Sequence, residues 1–181
     1  MDNTAKNKPR LTAEEYLKAT ENSEERTELL DGQIVAMAQP SRQHQHIAYN
    51  MYSEIRAFIR QNSGKCEVNG EINVFLDEKN VVVPDVSVTC DPSKLDAHGC
   101  HGAPDWVVEV LSTNRDNDLI FKYGLYKNSG VREYWIVDPK NEKTLVYFFE
   151  RNDLPDIYTF DTPIPVEIYS RKLSIRISDL L

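Results

Sequence analysis

The chain has 181 residues, 40% of them apolar, and a formal net charge of −8. This length and apolar content suit one domain with a sizeable core, and the charge argues against a broad basic surface. No apolar stretch approaches the ~20 residues that span a bilayer, so neither a transmembrane helix nor a membrane partner is expected. The three cysteines form no disulfide pattern, which predicts a reduced, cytoplasmic protein.

The predicted elements mix helices with short strands, as is typical of an α/β protein. Residues 1–10 are polar and are expected to form a disordered leader before a single domain at 11–181. In chain order, the predicted helices cover residues 11–17, 24–30, 44–61 and 118–128, and the predicted strands cover 33–38, 66–76, 81–89, 106–111, 132–137 and 143–150. A strand-rich tail is expected from 158 to 181. This order predicts a mixed central β-sheet flanked by helices.

Local signals place several of these elements. Thr12 followed by Glu15 has the spacing of a helix capping box. In the long helix at 44–61, Ile47, Met51 and Ile55 recur at helical steps and form one apolar face.

Two acidic residues interrupt otherwise apolar strands. Glu109 lies within the run 106–111, and Asp85 lies within the run 81–88. Such runs are typical of strands buried on both faces, where an ionised carboxylate is costly unless it is compensated. A divalent metal ion, or a set of Arg, Lys and backbone N–H groups, would compensate two such carboxylates, and the strands alone leave both possibilities open.

Several motifs resemble one group of nucleases. The pattern of the PD-(D/E)XK superfamily is carried by Pro84-Asp85, Glu109-Val110-Leu111-Ser112 and Lys122. The resemblance narrows to the Uma-type restriction endonuclease family, a bacterial domain of unknown function, through residues 28–32, 44–47, 83–87, 108–112 and 130–139. It covers most of the chain from Leu11 to about Glu150. It implies an α/β, restriction-endonuclease-like fold.

The resemblance also implies a Mg²⁺ site, in which Mn²⁺ would substitute. Asp85 and Glu109 would ligate the metal, with the carbonyl of Val110 as a further ligand. Lys122 would orient or help to deprotonate the attacking water, or neutralise charge on the phosphate. Glu28, expected on an early helix, matches an additional acid that approaches the same centre, and an exposed, solvated acid is the alternative for this residue.

The position of Lys122 departs from the superfamily pattern. The superfamily lysine stands two residues after the acid, where this chain has Leu111. Lys122 instead lies on the helix predicted at 118–128, four residues before Tyr126 and therefore on the same face. An exposed Asp118–Lys122 ion pair at i,i+4 spacing is the alternative, and the resemblance favours the catalytic role.

His44 is a weaker candidate for substrate binding. It matches the family's His-Gln pair at the start of the long helix, where a phosphate would meet free N–H groups. Polar residues are also common at helix starts without any function.

Two further features compete for a chemical role. His98, Cys100 and His101, with Cys90 nearby, contain zinc-ligand residue types. They lack the paired blocks of a zinc site, so a plain loop is favoured. Asp138 precedes a proline and is expected to start a turn.

The resemblance thus implies an endonuclease that hydrolyses phosphodiester bonds in DNA with the help of Mg²⁺. A two-fold homodimer is the expected assembly, because both strands of a duplex must be cut and such dimers are the commonest. Two alternatives stay open. One is a catalytically silent nuclease fold that binds nucleic acid or protein, which the net charge of −8 favours. The other is a metal enzyme acting on a small phosphorylated molecule.

Overall fold

Helices and strands alternate along the part of the chain that the structure describes. The computed structural model describes residues 10–112, 116–151 and 154–181, with the backbone alone for 116–120. The α-helices are α1 (Ala13–Thr20), α2 (Arg42–Gln61) and α3 (Asp116–Ser129). The strands are β1 (Thr27–Leu30), β2 (Gln33–Ala36), β3 (Glu67–Asn69), β4 (Val74–Asp77), β5 (Asn80–Val82), β6 (Val86–Thr89), β7 (Cys100–His101), β8 (Trp106–Val110), β9 (Glu133–Asp138), β10 (Lys143–Phe148), β11 (Asp156–Thr159), β12 (Ile164–Pro165) and β13 (Ser174–Ile175). Short 3₁₀ turns cover Pro92–Lys94, Glu167–Tyr169 and Ile177–Leu180.

The central sheet has six strands in the order β11-β10-β9-β8-β6-β3. Strands β8 and β9 are parallel, and the other neighbouring pairs are antiparallel. The chain connects the parallel pair through α3, since parallel neighbours need a crossover. The predicted mixed α/β fold is confirmed.

A second sheet of five strands, in the order β2-β1-β5-β4-β7, was not expected. The chain leaves the central sheet after β3 and returns to it at β6. The single strands predicted at 66–76 and 81–89 are therefore wrong, because each one is divided between the two sheets. Pro84-Asp85 is the crossing point from β5 to β6, and Pro84 has no N–H to donate to a sheet ladder.

The two faces of the central sheet are covered by different elements. The apolar face of α2 packs against β6, β8 and β9 on one side. On the other side, Val107 of β8 packs in a cluster with Tyr126 of α3 and Tyr134 of β9. Successive residues of a strand point to opposite faces. Glu109 therefore lies on the same face as Val107, toward α3.

Residues 27–36 form a β-hairpin, so the helix predicted at 24–30 is wrong. Strands β1 and β2 pair around Asp31-Gly32, whose φ angles of 48° and 74° suit a tight hairpin turn. Strand β1 also pairs with β5 through Leu29 and Val81. These long-range pairings override the helix propensity of the Glu and Leu residues in this stretch.

Cys66 and Cys90 form a disulfide bond, so the prediction of a chain without disulfides is wrong. The antiparallel register of β3 and β6 pairs Glu67 with Thr89. It thereby places the two flanking cysteines opposite each other, with their Cα atoms 3.8 Å apart. Cys100 is buried and free. Cysteine usage therefore no longer supports a cytoplasmic location.

The predicted leader lies outside the described residues except for Arg10. The guanidinium of Arg10 lies 2.6 Å from Oδ1 of Asp31. The single domain expected at 11–181 stays a prediction. Across the described ranges, no helix combines the length and the apolar character that crossing a membrane requires.

Candidate active site

Asp85 is buried where the chain crosses from β5 to β6. Its Oδ2 accepts a hydrogen bond from the backbone N–H of Val110 at 2.7 Å. Val110 directly follows Glu109, so this bond ties the first candidate ligand to the strand that carries the second. Nε2 of His44 lies 3.1 Å from the same Asp85 oxygen. Two groups therefore fix the orientation of this carboxylate.

Glu109 lies in β8 and is buried beneath α3. Its Oε1 accepts hydrogen bonds from Nζ of Lys122 at 3.0 Å and from the hydroxyl of Tyr126 at 2.7 Å. Burial raises the pKa of Glu109 to about 7, against the opposing effect of the Lys122 ammonium. The negative charges of Asp85 and Glu28 raise this pKa further. The predicted site residues thus act on one another electrostatically.

Lys122 joins Glu109 to Glu28. Its Nζ donates to Oε1 of Glu28 at 2.8 Å, and the lysine side chain is only 2% exposed. The same Glu28 oxygen accepts the backbone N–H of Val83 at 2.9 Å. Glu28 is therefore a buried residue of β1, and both its expected position on a helix and the exposed alternative are wrong.

Lys122 is brought to this site by α3. The alternative of an exposed Lys122 is excluded by its burial. The side chain of Asp118, its partner in that alternative, lies outside the described residues. One turn further along α3, Tyr126 reaches Glu109 from the same helix face, as the four-residue spacing requires.

His44 lies in the first turn of α2, which begins after Ser41. The Ser41 hydroxyl accepts the backbone N–H of His44 at 3.2 Å and caps the helix. The imidazole is buried beside Asp85. The structure thus places His44 on a candidate metal ligand, and its predicted contact with substrate stays a prediction.

Tyr126 has a position that the sequence did not reveal. The sequence served only to place this residue on the same helix face as Lys122, and it is fully buried. Its hydroxyl, however, donates to Glu109, so the side chain both fills the core and orients a site carboxylate. The available signal was its spacing of four residues from Lys122.

The free oxygens of Asp85 and Glu109 fit the chemistry of Mg²⁺. Within the described part of the chain, Oδ1 of Asp85 and Oε2 of Glu109 take no hydrogen bond, because all their partners bind the other oxygen. Mg²⁺ is commonly held by one or two carboxylates together with waters and substrate phosphate. No three His, Cys, Asp or Glu side chains of the described residues are grouped to hold an ion. The protein would therefore supply two carboxylates.

The residues considered for zinc have other partners. The sulfur of Cys90 is bonded to Cys66, and Nε2 of His101 lies 3.0 Å from Oδ2 of Asp96. The thiol of Cys100 is buried beside Thr89. These contacts favour a structural loop.

Asp138 forms the predicted turn. Its Oδ1 accepts the backbone N–H groups of Lys140 and Asn141 at 3.0 and 3.1 Å. The turn assignment is confirmed, and the carboxylate is used by the turn itself.

Residues 13–175 match the model of the Uma2 family, which is described as "Putative restriction endonuclease". The chain belongs to the Uma2 family. The match spans every side chain of the candidate site. It confirms the resemblance on which the site was predicted, and membership supports a nuclease function.

Similar proteins include two from Synechocystis sp. "Uncharacterized protein slr1290" is 31% identical to this Uma2 chain over 175 residues, covering 93% of the chain and 90% of that protein. "Uncharacterized protein sll1609" is 26% identical over 132 residues, covering 71% of the chain and 75% of that protein.

A solved structure has the same fold. It is the crystal structure of "a putative nuclease belonging to DUF820" from Anabaena variabilis, which superposes with a TM-score of 0.77 at 23% identity. The superposition covers 94% of this Uma2 chain and 97% of that one. The similarity extends the fold assignment over almost the whole chain.

Proposed function

We propose that the chain is a Mg²⁺-dependent endonuclease that hydrolyses phosphodiester bonds in DNA. Asp85 and Glu109 hold the metal, and Lys122 assists the attacking water. The observation that carries this proposal is the convergence of these three buried groups, each oriented by a second residue. Family membership supports the reaction class. We propose in addition that the substrate is DNA, that the metal is Mg²⁺ and that each residue has the role given above.

The two carboxylates are prepared for a cation by their neighbours. Val110 N–H and His44 occupy one oxygen of Asp85, and Tyr126 and Lys122 occupy one oxygen of Glu109. In each case the second oxygen is left for the ion. Mg²⁺ bound there would lower the pKa of water and stabilise the negative charge that develops on the phosphate.

Lys122 is proposed to position water and to neutralise phosphate charge. Its ammonium is already fixed between Glu109 and Glu28, so little rotamer freedom remains to be lost when substrate binds. Glu28 is proposed as a positioning residue, because it holds Lys122 and the backbone of Val83 and acts on Glu109 through its charge. The chain thus uses a helix lysine where the superfamily uses a strand lysine.

DNA binding must overcome a net charge of −8. Basic residues are concentrated in and just after α2, where residues 42–65 contain four Lys or Arg residues and one acid. The first turn of α2 contains no acid. This helix is therefore the proposed contact for the phosphate backbone. A two-fold dimer is proposed as the assembly, because such dimers are the commonest.

The test is cleavage of plasmid DNA and of single-stranded DNA in Mg²⁺ by wild type, Asp85→Asn and Glu109→Gln. Each substitution keeps the side-chain shape and removes one charged metal ligand. We expect losses of at least about 100-fold in rate, with unchanged circular dichroism. Glu78→Gln, at an exposed acid, is the matched control and should cut normally. If Asp85→Asn and Glu109→Gln both cut like wild type, the assignment is wrong.

The silent binding module predicts a different result. It would retain DNA in a salt-sensitive manner without any cleavage, and retention would be indifferent to Mg²⁺ and to both substitutions. Hydrolysis of small phosphoesters by wild type, lost in the same two variants, would instead identify a small phosphorylated substrate.

A further inference from the structure

A polar cleft adjoins the candidate active site and has no assigned role. It has a volume of about 330 Å³ and is lined by Gln39, Ser41 and Gln43, and by residues 111–112 and 138–141. This volume lies at the lower end of the ~300–1,000 Å³ range of small-molecule sites. Such a cleft has room for a single nucleoside and not for the width of a duplex.

Two parts of the cleft lining are connected to the residues that hold the site carboxylates. Leu111 and Ser112 continue the strand of Glu109, and Leu111 lies roughly 7 Å beyond it along the extended chain. Ser41 also lines the cleft, and it caps the helix turn that carries His44, which contacts Asp85. A substrate phosphate at the carboxylates would therefore place its neighbouring nucleoside at the mouth of this cleft.

The turn at Asp138 also lines the cleft and is held by hydrogen bonds. Besides its two backbone contacts, the carboxylate of Asp138 accepts Nδ2 of Asn141 at 2.6 Å. Among the described residues, Asp138 is the only acid that lines the cleft. These hydrogen bonds partly compensate its negative charge. Lys140 lines the same wall. Hydrogen bonds thus hold this part of the lining in place, and its lysine is compatible with an anionic ligand.

The cleft presents groups that match the edge of a nucleobase. The amides of Gln39 and Gln43 line it, and each amide offers both donors and an acceptor. Oγ of Ser112 is buried and has no hydrogen-bond partner within the described ranges. Leu111 and Pro139 add apolar surface for the plane of a base. In a duplex, the Watson–Crick edge of a base is occupied by its complement, whereas the same edge of an unpaired base is free to bind.

We infer that this cleft binds an unpaired nucleoside next to the scissile phosphate, so that the preferred substrate is single-stranded DNA or DNA with displaced bases. Gln39 and Gln43 are the residues that recognise the base. The inference rests on the proposed function, because that function places the scissile phosphate at Asp85 and Glu109.

The test measures binding separately from cleavage. A short fluorescein-labelled single strand and its duplex are titrated with full-length protein by fluorescence anisotropy, in Ca²⁺ in place of Mg²⁺. Wild type should bind the single strand at least about tenfold more tightly than the duplex. The double variant Gln39→Ala/Gln43→Ala should weaken single-strand binding about tenfold, through loss of two hydrogen bonds.

The matched control is Asn22→Ala/Gln33→Ala, which removes two exposed amide side chains outside the cleft and outside α2. It should bind like wild type. Equal affinity for duplex and single strand, or equal losses of affinity in the two double variants, would overturn the inference.

Cleavage of the same DNA in Mg²⁺ is measured in parallel. Selective binding without cleavage would refute the proposed function alone, and duplex cleavage that ignores the cleft variants would refute the inference alone.

Discussion

The ammonium of Lys122 lies 2.8 Å from Oε1 of Glu28, a residue 94 positions earlier in the chain. Both side chains are about 2% exposed. Two buried charges of opposite sign compensate each other, and removing one leaves the other without compensation. This pair therefore links the stability of the fold to the geometry of the site.

Replacing Lys122 by Met should impair both stability and activity. Glu28 and Glu109 would lose their shared cation, and the free energy of unfolding should fall by about 3–5 kcal/mol. Cleavage should fall by at least about 100-fold. Urea unfolding and plasmid cleavage measure the two effects.

The double variant Glu28→Gln/Lys122→Met separates these effects. Removing both charges should recover part of the lost stability, because the two substitutions are coupled, while activity should stay low. Lys143→Met, at an exposed lysine, should change neither quantity. Full activity in the stabilised double variant would rule out a direct role for Lys122.

Tyr126→Phe removes the hydroxyl that donates to Glu109 at 2.7 Å and keeps the ring in the core. Because partners that orient a metal ligand are commonly worth 10–100-fold in metal affinity, we expect Mn²⁺ to bind about tenfold more weakly. Isothermal titration measures this affinity. Tyr49→Phe, at a tyrosine 54% exposed, should bind Mn²⁺ like wild type, and an unchanged affinity in Tyr126→Phe would contradict the orienting role.

Glu133 should make stability depend on pH. Burial raises the pKa of Glu133 from 4.5 to about 7, the charge of Glu167 raises it further, and hydrogen bonds from Ile168 N–H and Trp135 oppose the shift. Between these two pKa values the folded state binds more protons than the unfolded state. The stability that Glu133 contributes through its raised pKa is therefore fully present below pH 4.5 and is lost as the pH rises to about 7.

Urea unfolding at about pH 5 and about pH 8 tests this dependence. Between these two pH values, the free energy of unfolding should fall by roughly 2 kcal/mol more in wild type than in Glu133→Gln. The variant is also expected to be less stable at both pH values, because its amide cannot accept both Ile168 N–H and the indole N–H. Glu78→Gln should lose as much unfolding free energy between the two pH values as wild type does. Identical slopes in wild type and Glu133→Gln would exclude Glu133 as the cause.

Reduction of the Cys66–Cys90 disulfide should lower the free energy of unfolding. The bond closes a loop with a sequence separation of 24, for which chain entropy predicts about 3 kcal/mol. Urea unfolding with and without a reductant gives the difference. Cys66→Ser/Cys90→Ser should match the reduced protein and lose its sensitivity to reductant, whereas Cys100→Ser should retain it.

The sequence predicted those features that depend on local pattern. The apolar face of α2 followed from hydrophobic periodicity, and the burial of Asp85 and Glu109 followed from the continuous apolar runs around them, because burial dominates those segments. Lys122 was different. Spacing alone favoured an exposed ion pair, and only the resemblance to a family placed this lysine at the site.

The features that were missed depend on long-range pairing. Glu28 was placed on a helix because its neighbours favour helices, but pairing of β1 with β2 and β5 decided its conformation. The disulfide depends on the register between β3 and β6, which the spacing of Cys66 and Cys90 does not reveal. The division of two predicted strands between two sheets has the same origin. A short apolar run does not indicate which sheet it joins.

The most direct test of the account is a crystal structure of the protein soaked in Mn²⁺, with the ion located by its anomalous scattering. The account predicts one peak bound by both Asp85 and Glu109, with metal–oxygen distances of about 2.1 Å, and no peak in Asp85→Asn crystals grown identically. Wild-type crystals with no peak between these two carboxylates, and with Lys122 still in contact with Glu109, would contradict it.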